Sequence, residues 1–332
     1  MARWPHRLKI AGLMLAIIWP GPGSATAMFD ELVVIGDSLS DQGNVFTITG
    51  GMIPPPEYNS GRFTNGLNYI DFLAPSLGLS ATPSEIGGSN YAYGGARMDF
   101  HALARFGALS LLEQKNAYIS ALGGAPANPN ALHVVWAGSN DLFDIISTVA
   151  TDPTYDPTAD ITSTVEDLAL VVGSLATVGA RDILFPNVPN LGIVPRVTAF
   201  NAGNPVDEAT KLAALFNAAV AGALDDILAS FPALNIVEFD VFTLTTELFI
   251  DPLAFGFINA TDACYSEFVV PGGTVCANPD EYVSWDGFHP TTATHEQIAA
   301  RMRAQLVPEP SILALMVIGL TGMGVARRRM KA

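Results

Sequence analysis

The chain has 332 residues, 49% hydrophobic and 14% charged, with a formal net charge of −16. That excess of acid excludes nucleic acid as a partner, because phosphate contacts need clustered Lys and Arg. The length admits one large domain or two smaller ones. Arg3, Arg7 and Lys9 at one end and Arg327, Arg328, Arg329 and Lys331 at the other leave only nine basic residues against 32 acids between them. The basic ends therefore read as targeting signals.

At the N-terminus a basic stretch, MARWPHRLK, precedes an apolar one, IAGLMLAIIW, and then PGPGSATAMF with small residues at Ala25 and Ala27. This is the three-part pattern of a secretory signal peptide over residues 1–27, with cleavage expected after Ala27. A membrane anchor is the alternative, although the apolar run is short for a span.

From Met28 to Leu306 there is no internal repeat and no low-complexity linker. ELVVIG (31–36) reads as a buried strand that breaks at Gly36-Asp37-Ser38. NSGRFTNGLNYIDFLAPSLG reads as a loop followed by a helix, with Leu67, Ile70, Leu73 and Ala74 at helical spacing. HALARFGALSLLEQKNAYISALG is a second helix, stopped by Gly123-Gly124. ALHVVWAG is a short apolar strand. TSTVEDLALVVGSLATVGA is a helix with Thr162 or Ser163 near its cap. RDILFPNVPN is a strand ending at proline and asparagine. NPVDEATKLAALFNAAVAGALDDILASFP is a long helix, LNIVEFDVF a strand, and a last helix runs from near Thr291 to Leu306. Continuous apolar strands alternating with helices imply an α/β fold whose mainly parallel sheet is covered on both faces. In such sheets ligands lie beyond the carboxyl ends of the strands. Asp37-Ser38, Ser139-Asn140 and Asn187 all fall there.

Cys264 and Cys276 are the two cysteines, and the loop between them holds Pro271, Gly272 and Gly273. In an exported domain they are expected to form a disulfide; two free thiols are the alternative. A zinc site lacks a second Cys/His pair at ligand spacing. Residues 307–332 join Val-Pro-Glu-Pro to an apolar helix and a basic tail. A helix from Ser311 to Ala326 reaches about 24 Å, short of the roughly 30 Å hydrocarbon core. The positive-inside rule puts Arg327 to Arg329 in the cytoplasm and the main domain outside.

Acyl transfer needs a nucleophile, a base, a group that orients the base, and donors for the oxyanion. Ser38 suits the first role, although a serine after a strand is also an ordinary helix cap. Of the mature region's histidines, His101, His133, His289 and His295, the third stands out in SWDGFHPTTATHEQ. Asp286 precedes it by three residues, so one turn brings carboxylate to imidazole; a turn with a capping aspartate has the same pattern. His133 sits in an apolar strand and reads as structural. His295 lies on the last helix and reads as solvated. Asn140 in WAGSNDLF and Gly94-Gly95 in SNYAYGGAR could supply donors, or an Asx turn and a tight turn.

Four such pieces stand in one order. GDSLSDQGN, NYAYGGAR, GSND and DGFHPT resemble the four blocks of the GDSL, or SGNH, family of serine esterases and lipases, over Phe29 to about Leu306. NSGRFTNGLNYIDFLA, FPNVPNLGIVP and NPDEYVSWDGFHPTTATHE look like its plant-type lipase and bacterial phospholipase/haemolysin-like branch. The resemblance implies one three-layer α/β/α SGNH-hydrolase domain over residues 28–306. It implies Ser38 as nucleophile, His289 as base and Asp286 as its partner. The oxyanion hole would be formed by the backbone N–H groups of Ser38 and Gly95 and the Asn140 side chain. Asp37 would hold the nucleophile turn. Asp41 and Asn44 would cap the next helix or shape the rim, and Arg62 and Asn65 would shape the mouth or serve structure. No cofactor or metal is called for. The expected substrate is an acyl ester, of a lipid or an acylated sugar; a non-catalytic matrix or adhesion protein on the same fold is the rival. The C-terminal order of Val-Pro-Glu-Pro, apolar helix and arginines resembles a PEP-CTERM sorting signal. That implies secretion machinery and an exosortase as partners, and an envelope or extracellular location.

Overall fold

The computed structural model describes residues 28–152, 154–200, 205–266 and 273–307. The expected leader and sorting segment lie outside them. In chain order the elements are β1 (Glu31–Gly36), α1 (Asn44–Ile48), α2 (Tyr69–Ser76), α3 (Leu111–Ala121), β2 (Ala131–Trp136), α4 (Ser139–Thr151), α5 (Thr158–Thr177) and β3 (Asp182–Pro186). Then follow α6 (Pro195–Phe200), α7 (Pro205–Ser230), β4 (Asn235–Phe239), α8 (Val241–Ile250), β5 (Asn259–Ala263), β6 (Tyr282–Ser284) and α9 (Thr292–Leu306).

The central sheet has the order β1-β2-β3-β4, and every pair is parallel. Residues 89–93 run along the free side of β1: Val34 N–H donates to Ser89 O at 3.0 Å, and Tyr91 N–H to Val34 O at 2.8 Å. The chain thus leaves β1, returns on one flank, and crosses to β2 on the other. The carboxyl end of β1 is a topological switch point, where open α/β sheets leave a crevice.

Strands buried on both faces need apolar side chains at every position. Leu32, Val34, Leu132, Val134, Trp136 and Leu184 face a core built with α2, α8 and α9. Val33, Ile35, Val135, Ile183 and Phe185 face the other, built with α3, α4, α5 and α7. This is the α/β/α sandwich expected from the alternation of strands and helices.

Helix boundaries differ from expectation where polar caps decide them. The second helix begins at Leu111, not near His101. Ser110 accepts from Glu113 N–H at 3.3 Å while the Glu113 carboxylate accepts from Ser110 N–H at 2.8 Å, a reciprocal capping box. Leu67 precedes α2 and is exposed, because Asn68 caps that helix. α5 starts ahead of Thr162 and Ser163; Asp156 takes the Thr158 N–H, and Thr162 bonds back to Thr158 O inside the helix. LNIVEFDVF divides at Asp240, whose carboxylate accepts the Thr243 N–H and opens α8.

β1 can end beside β2 only as glycine: a Cβ on Gly36 would stand 2.7 Å from Trp136 O. Its peptide groups are met by a buried side chain. Gln114 of α3 accepts the Gly36 N–H and donates to the Gly36 carbonyl, both at 2.9 Å. Gln114→Leu leaves that N–H buried without its acceptor and is expected to cost about 1–3 kcal/mol, read as a lowered thermal midpoint. An unchanged midpoint would contradict this role.

Candidate active site

Ser38 stands two residues past β1. Asp37, whose carboxylate accepts the Leu39 N–H at 3.0 Å and whose carbonyl accepts from Ser40 and Asp41, holds the turn. Burial pushes the Asp37 carboxyl up to about 6, against the opposing Leu39 N–H and His289 charge. Asp41 fixes the next layer. It accepts the N–H groups of Gly43, Asn44 and Val45 at the start of α1, and that of Gly94 at 2.9 Å. Asn44 donates to the carbonyls of Asn90 and Ala92. Both residues are fully buried, so they brace the turn from within and are not part of a rim.

Ser38 Oγ lies 2.8 Å from His289 Nε2, and His289 Nδ1 lies 2.7 Å from Asp286 Oδ2. The Asp286 carboxylate is saturated on its other sides. Oδ1 accepts from the N–H groups of Phe288 and His289, each at 2.7 Å, and Oδ2 accepts the Tyr58 hydroxyl at 2.5 Å. Burial alone would raise this carboxyl. The charge and hydrogen bond of His289, with Tyr58 and Phe288, hold it below the usual carboxylate range instead. Burial likewise works against a charged His289, but the attraction and hydrogen bond of Asp286, and the nearby Asp37, raise the imidazole above 6.5.

Gly95 and Asn140 face the same space. Gly95 takes φ +86°, a left-handed conformation that glycine adopts without strain. Its N–H and that of Ser38 have no acceptor among the described residues. Asn140, in the first turn of α4, donates one amide hydrogen to Ala96 O at 3.0 Å, leaving the second for a ligand. Two neighbours on α4 tie down the same loop: Asp141 accepts the Met98 N–H at 3.1 Å, and Asp144 forms an ion pair with Arg97. Ser38, Gly95, Asn140 and His289 line one cavity of about 940 Å³. A hydroxyl bonded to a half-buried imidazole, with three N–H groups lining the same cavity, suits acyl transfer.

The other candidates are structural. His133 meets the Tyr118 hydroxyl at 2.9 Å, and burial pushes it down to about 4. His295 is not solvated: it is buried against Tyr69, and burial pushes it down to about 3. His101 bonds to Gly94 O and accepts the Leu103 N–H. Arg62 makes a two-pronged ion pair with Asp71, and Asn65 accepts the Thr292 N–H. Cys264 and Cys276 are joined in a disulfide. Among the described residues no His, Cys, Asp and Glu cluster could hold a metal. The sequence reading missed Tyr58, because nothing in a proline-rich loop announces a contact with a residue 228 positions away.

The model of the family described as "GDSL-like Lipase/Acylhydrolase" matches residues 32–302. A GDSL esterase/lipase of Arabidopsis thaliana is 26% identical over 89% of this chain and 96% of its own. Acetylajmalan esterase 2 of Rauvolfia serpentina is 27% identical over 85% of this chain and 91% of its own. Among solved structures, an acetylxylan esterase from Geobacillus stearothermophilus is 14% identical, covers 83% of this chain and 93% of its own, and superposes with a TM-score of 0.42.

The electrostatics make one prediction independent of turnover. The His289 ring, followed by NMR, titrates above 6.5 in the native protein and at lower pH in Asp286→Asn, which removes the attraction that raises it. The sign carries to stability: the imidazolium–carboxylate attraction is fully present below pH 6.5 and is lost as pH rises through the raised folded value. A native His289 titrating below 6.5 would contradict the assignment.

Proposed function

Because the chain belongs to the GDSL-like lipase/acylhydrolase family, and so to the carboxylic ester hydrolases, we propose that it is an exported serine hydrolase acting through Ser38, His289 and Asp286. The observation that carries this reading is the unbroken line of hydrogen bonds from Ser38 Oγ through both imidazole nitrogens to Asp286. Ser38 Oγ attacks the ester carbonyl while His289 Nε2 takes its proton. Asp286 keeps the remaining proton on Nδ1 and stabilises the imidazolium. The N–H groups of Ser38 and Gly95 and the Asn140 amide receive the oxyanion. His289 then protonates the departing alcohol, and water, activated by the same imidazole, releases the acid from Ser38. In these steps the chain's own side chains and backbone supply the nucleophile, the base and the oxyanion donors, and water is the second reactant.

Export is supported by the leader pattern in residues 1–27 and by the Cys264–Cys276 disulfide, a bond that persists in oxidising compartments. The order of Pro-Glu-Pro, apolar run and arginines in the sequence of residues 307–332 supports handling by an exosortase after secretion. N-terminal sequencing of the exported protein is expected to begin at Met28; a retained leader would contradict export by this route.

Ser38→Ala is expected to abolish turnover of chromogenic acyl esters without moving the thermal midpoint. Asp286→Asn should lower kcat by about 10⁴-fold, since the wrong tautomer then faces the serine. The base must be neutral to work, so the acid limb of kcat/KM lies above pH 6.5, following the raised His289. Full activity in Ser38→Ala would sink the mechanism.

A further inference from the structure

One wall of the cavity is the face of α4 that begins at Asn140. Phe143, Ile146, Ser147, Ala150 and Thr151 all line it, at the three- and four-residue steps that keep side chains on one helix face. Between Asn140 and Thr151 the helix rises about 16 Å. Leu191 of the 3₁₀ turn Leu191–Ile193, Val194 just after it and Val197 of α6 also line the cavity. Phe288 bridges α4 and α6. Its ring lies 4.9 Å from that of Phe143, and the Arg196 guanidinium sits 5.9 Å from its centre, while Arg196 N–H donates to Gly287 O. The groove starts at the oxyanion donor Asn140 and passes the residue before His289. Its lining is mostly apolar; Ser147, Ala150 and Thr151 are exposed at its far end.

We infer that this groove is an acyl-chain site, and that the natural substrates carry an unbranched fatty acyl group of about eight to twelve carbons, since an extended chain built from C–C bonds of about 1.5 Å gains roughly 1.3 Å per carbon along 16 Å of helix. The inference rests on the serine-hydrolase reading and deepens it. Besides its bond to Ser38 Oγ, the tetrahedral carbon of the intermediate has three others. The oxyanion turns to Gly95 and Asn140, the leaving oxygen must reach His289 Nε2, and the acyl chain takes the remaining one, along α4. An acetyl group would leave the groove empty. A sugar would meet Phe143, Ile146, Leu191, Val194, Val197 and Phe288 where it needs ranks of polar partners. Burial of each methylene in a groove open on one side is worth about a twofold gain in kcat/KM.

The test uses p-nitrophenyl esters from acetyl to palmitoyl, kept below micelle formation, with the full exported protein. kcat/KM should climb with chain length to about ten or twelve carbons and then level off. Ala150→Trp, an exposed position where a large side chain folds without strain, plugs the far half of the groove. It should cut the dodecanoyl-to-butyryl ratio of kcat/KM at least tenfold. Thr148→Trp, on an exposed part of α4 outside the cavity, should leave the profile as it is. A profile that peaks at acetyl, or a ratio untouched by Ala150→Trp, overturns the inference while leaving the hydrolase reading intact. So does an effect of Ala150→Trp on acetate esters of long alcohols in place of long acyl chains, which would assign the groove to the leaving group. Loss of turnover with every ester in the native protein would instead overturn the serine-hydrolase reading, and this inference with it.

Discussion

Ser38 and His289 are 251 residues apart in sequence, and what keeps their side chains 2.8 Å apart is a strap of chain between α1 and α2. Residues 58–67 reach the histidine segment at several points. The Tyr58 hydroxyl donates to Asp286 at 2.5 Å, and that of Thr64 to Pro290 O at 2.9 Å. Asn65 accepts the Thr292 N–H at 2.8 Å, and the Thr292 hydroxyl donates to Leu67 O at 2.9 Å. Arg62 braces the strap against Asp71 at the head of α2, and α2 packs beside α9, which begins at the end of the histidine loop. A site assembled from remote segments is only as well placed as its supports. Here the support is a chain of buried or half-buried polar contacts between the first and last parts of the domain.

A second set of polar groups does the same for the side that carries Gly95 and Asn140. The Asp41 carboxylate spans from the start of α1 to Gly94, so the turn bearing Ser38 and the loop bearing Gly95 answer to one residue. Asn140, Asp141 and Asp144 fasten that loop from α4. The N–H groups of Ser38 and Gly95 and the Asn140 amide are thereby held in place within the fold, as the proposed oxyanion hole requires. Fixed dipoles cost no reorganisation when charge develops, which is where much of the rate of acyl transfer originates. Against the pull of burial, mutual attraction and hydrogen bonding separate the titrations: Asp286 is held below the usual carboxylate range, and His289 is raised.

The strands were legible because a sheet buried on both faces needs continuous apolar runs, and ELVVIG, ALHVVW and RDILFP have them. Fold class and sheet direction followed from their alternation with helices. Local polar chemistry was less legible. α4 was not foreseen because GSND was read as a motif alone, although the same residues open a helix of three turns and more. α8 was hidden inside an apparent strand by one capping aspartate. His295 reads as solvated because α9 is polar along most of its length, but it shares the inward face with Ile298, Ala299, Met302 and Leu306, and its ring stacks on Tyr69. Tyr58 could not have been found by spacing, since its partner is set by tertiary structure. The four sequence blocks, by contrast, converge on one cavity because each marks a place where the backbone turns at the edge of the sheet.

The proposed triad requires above all that Ser38 form a covalent bond during turnover. The most direct measurement is to react the protein with a fluorophosphonate that carries a fatty chain, and to locate the adduct by peptide mass. The account predicts one adduct, on the peptide containing Ser38, with labelling strongly slowed in His289→Ala and ester turnover lost in proportion to labelling. Ester hydrolysis that persists with Ser38 fully modified, or an adduct on another residue, would contradict it.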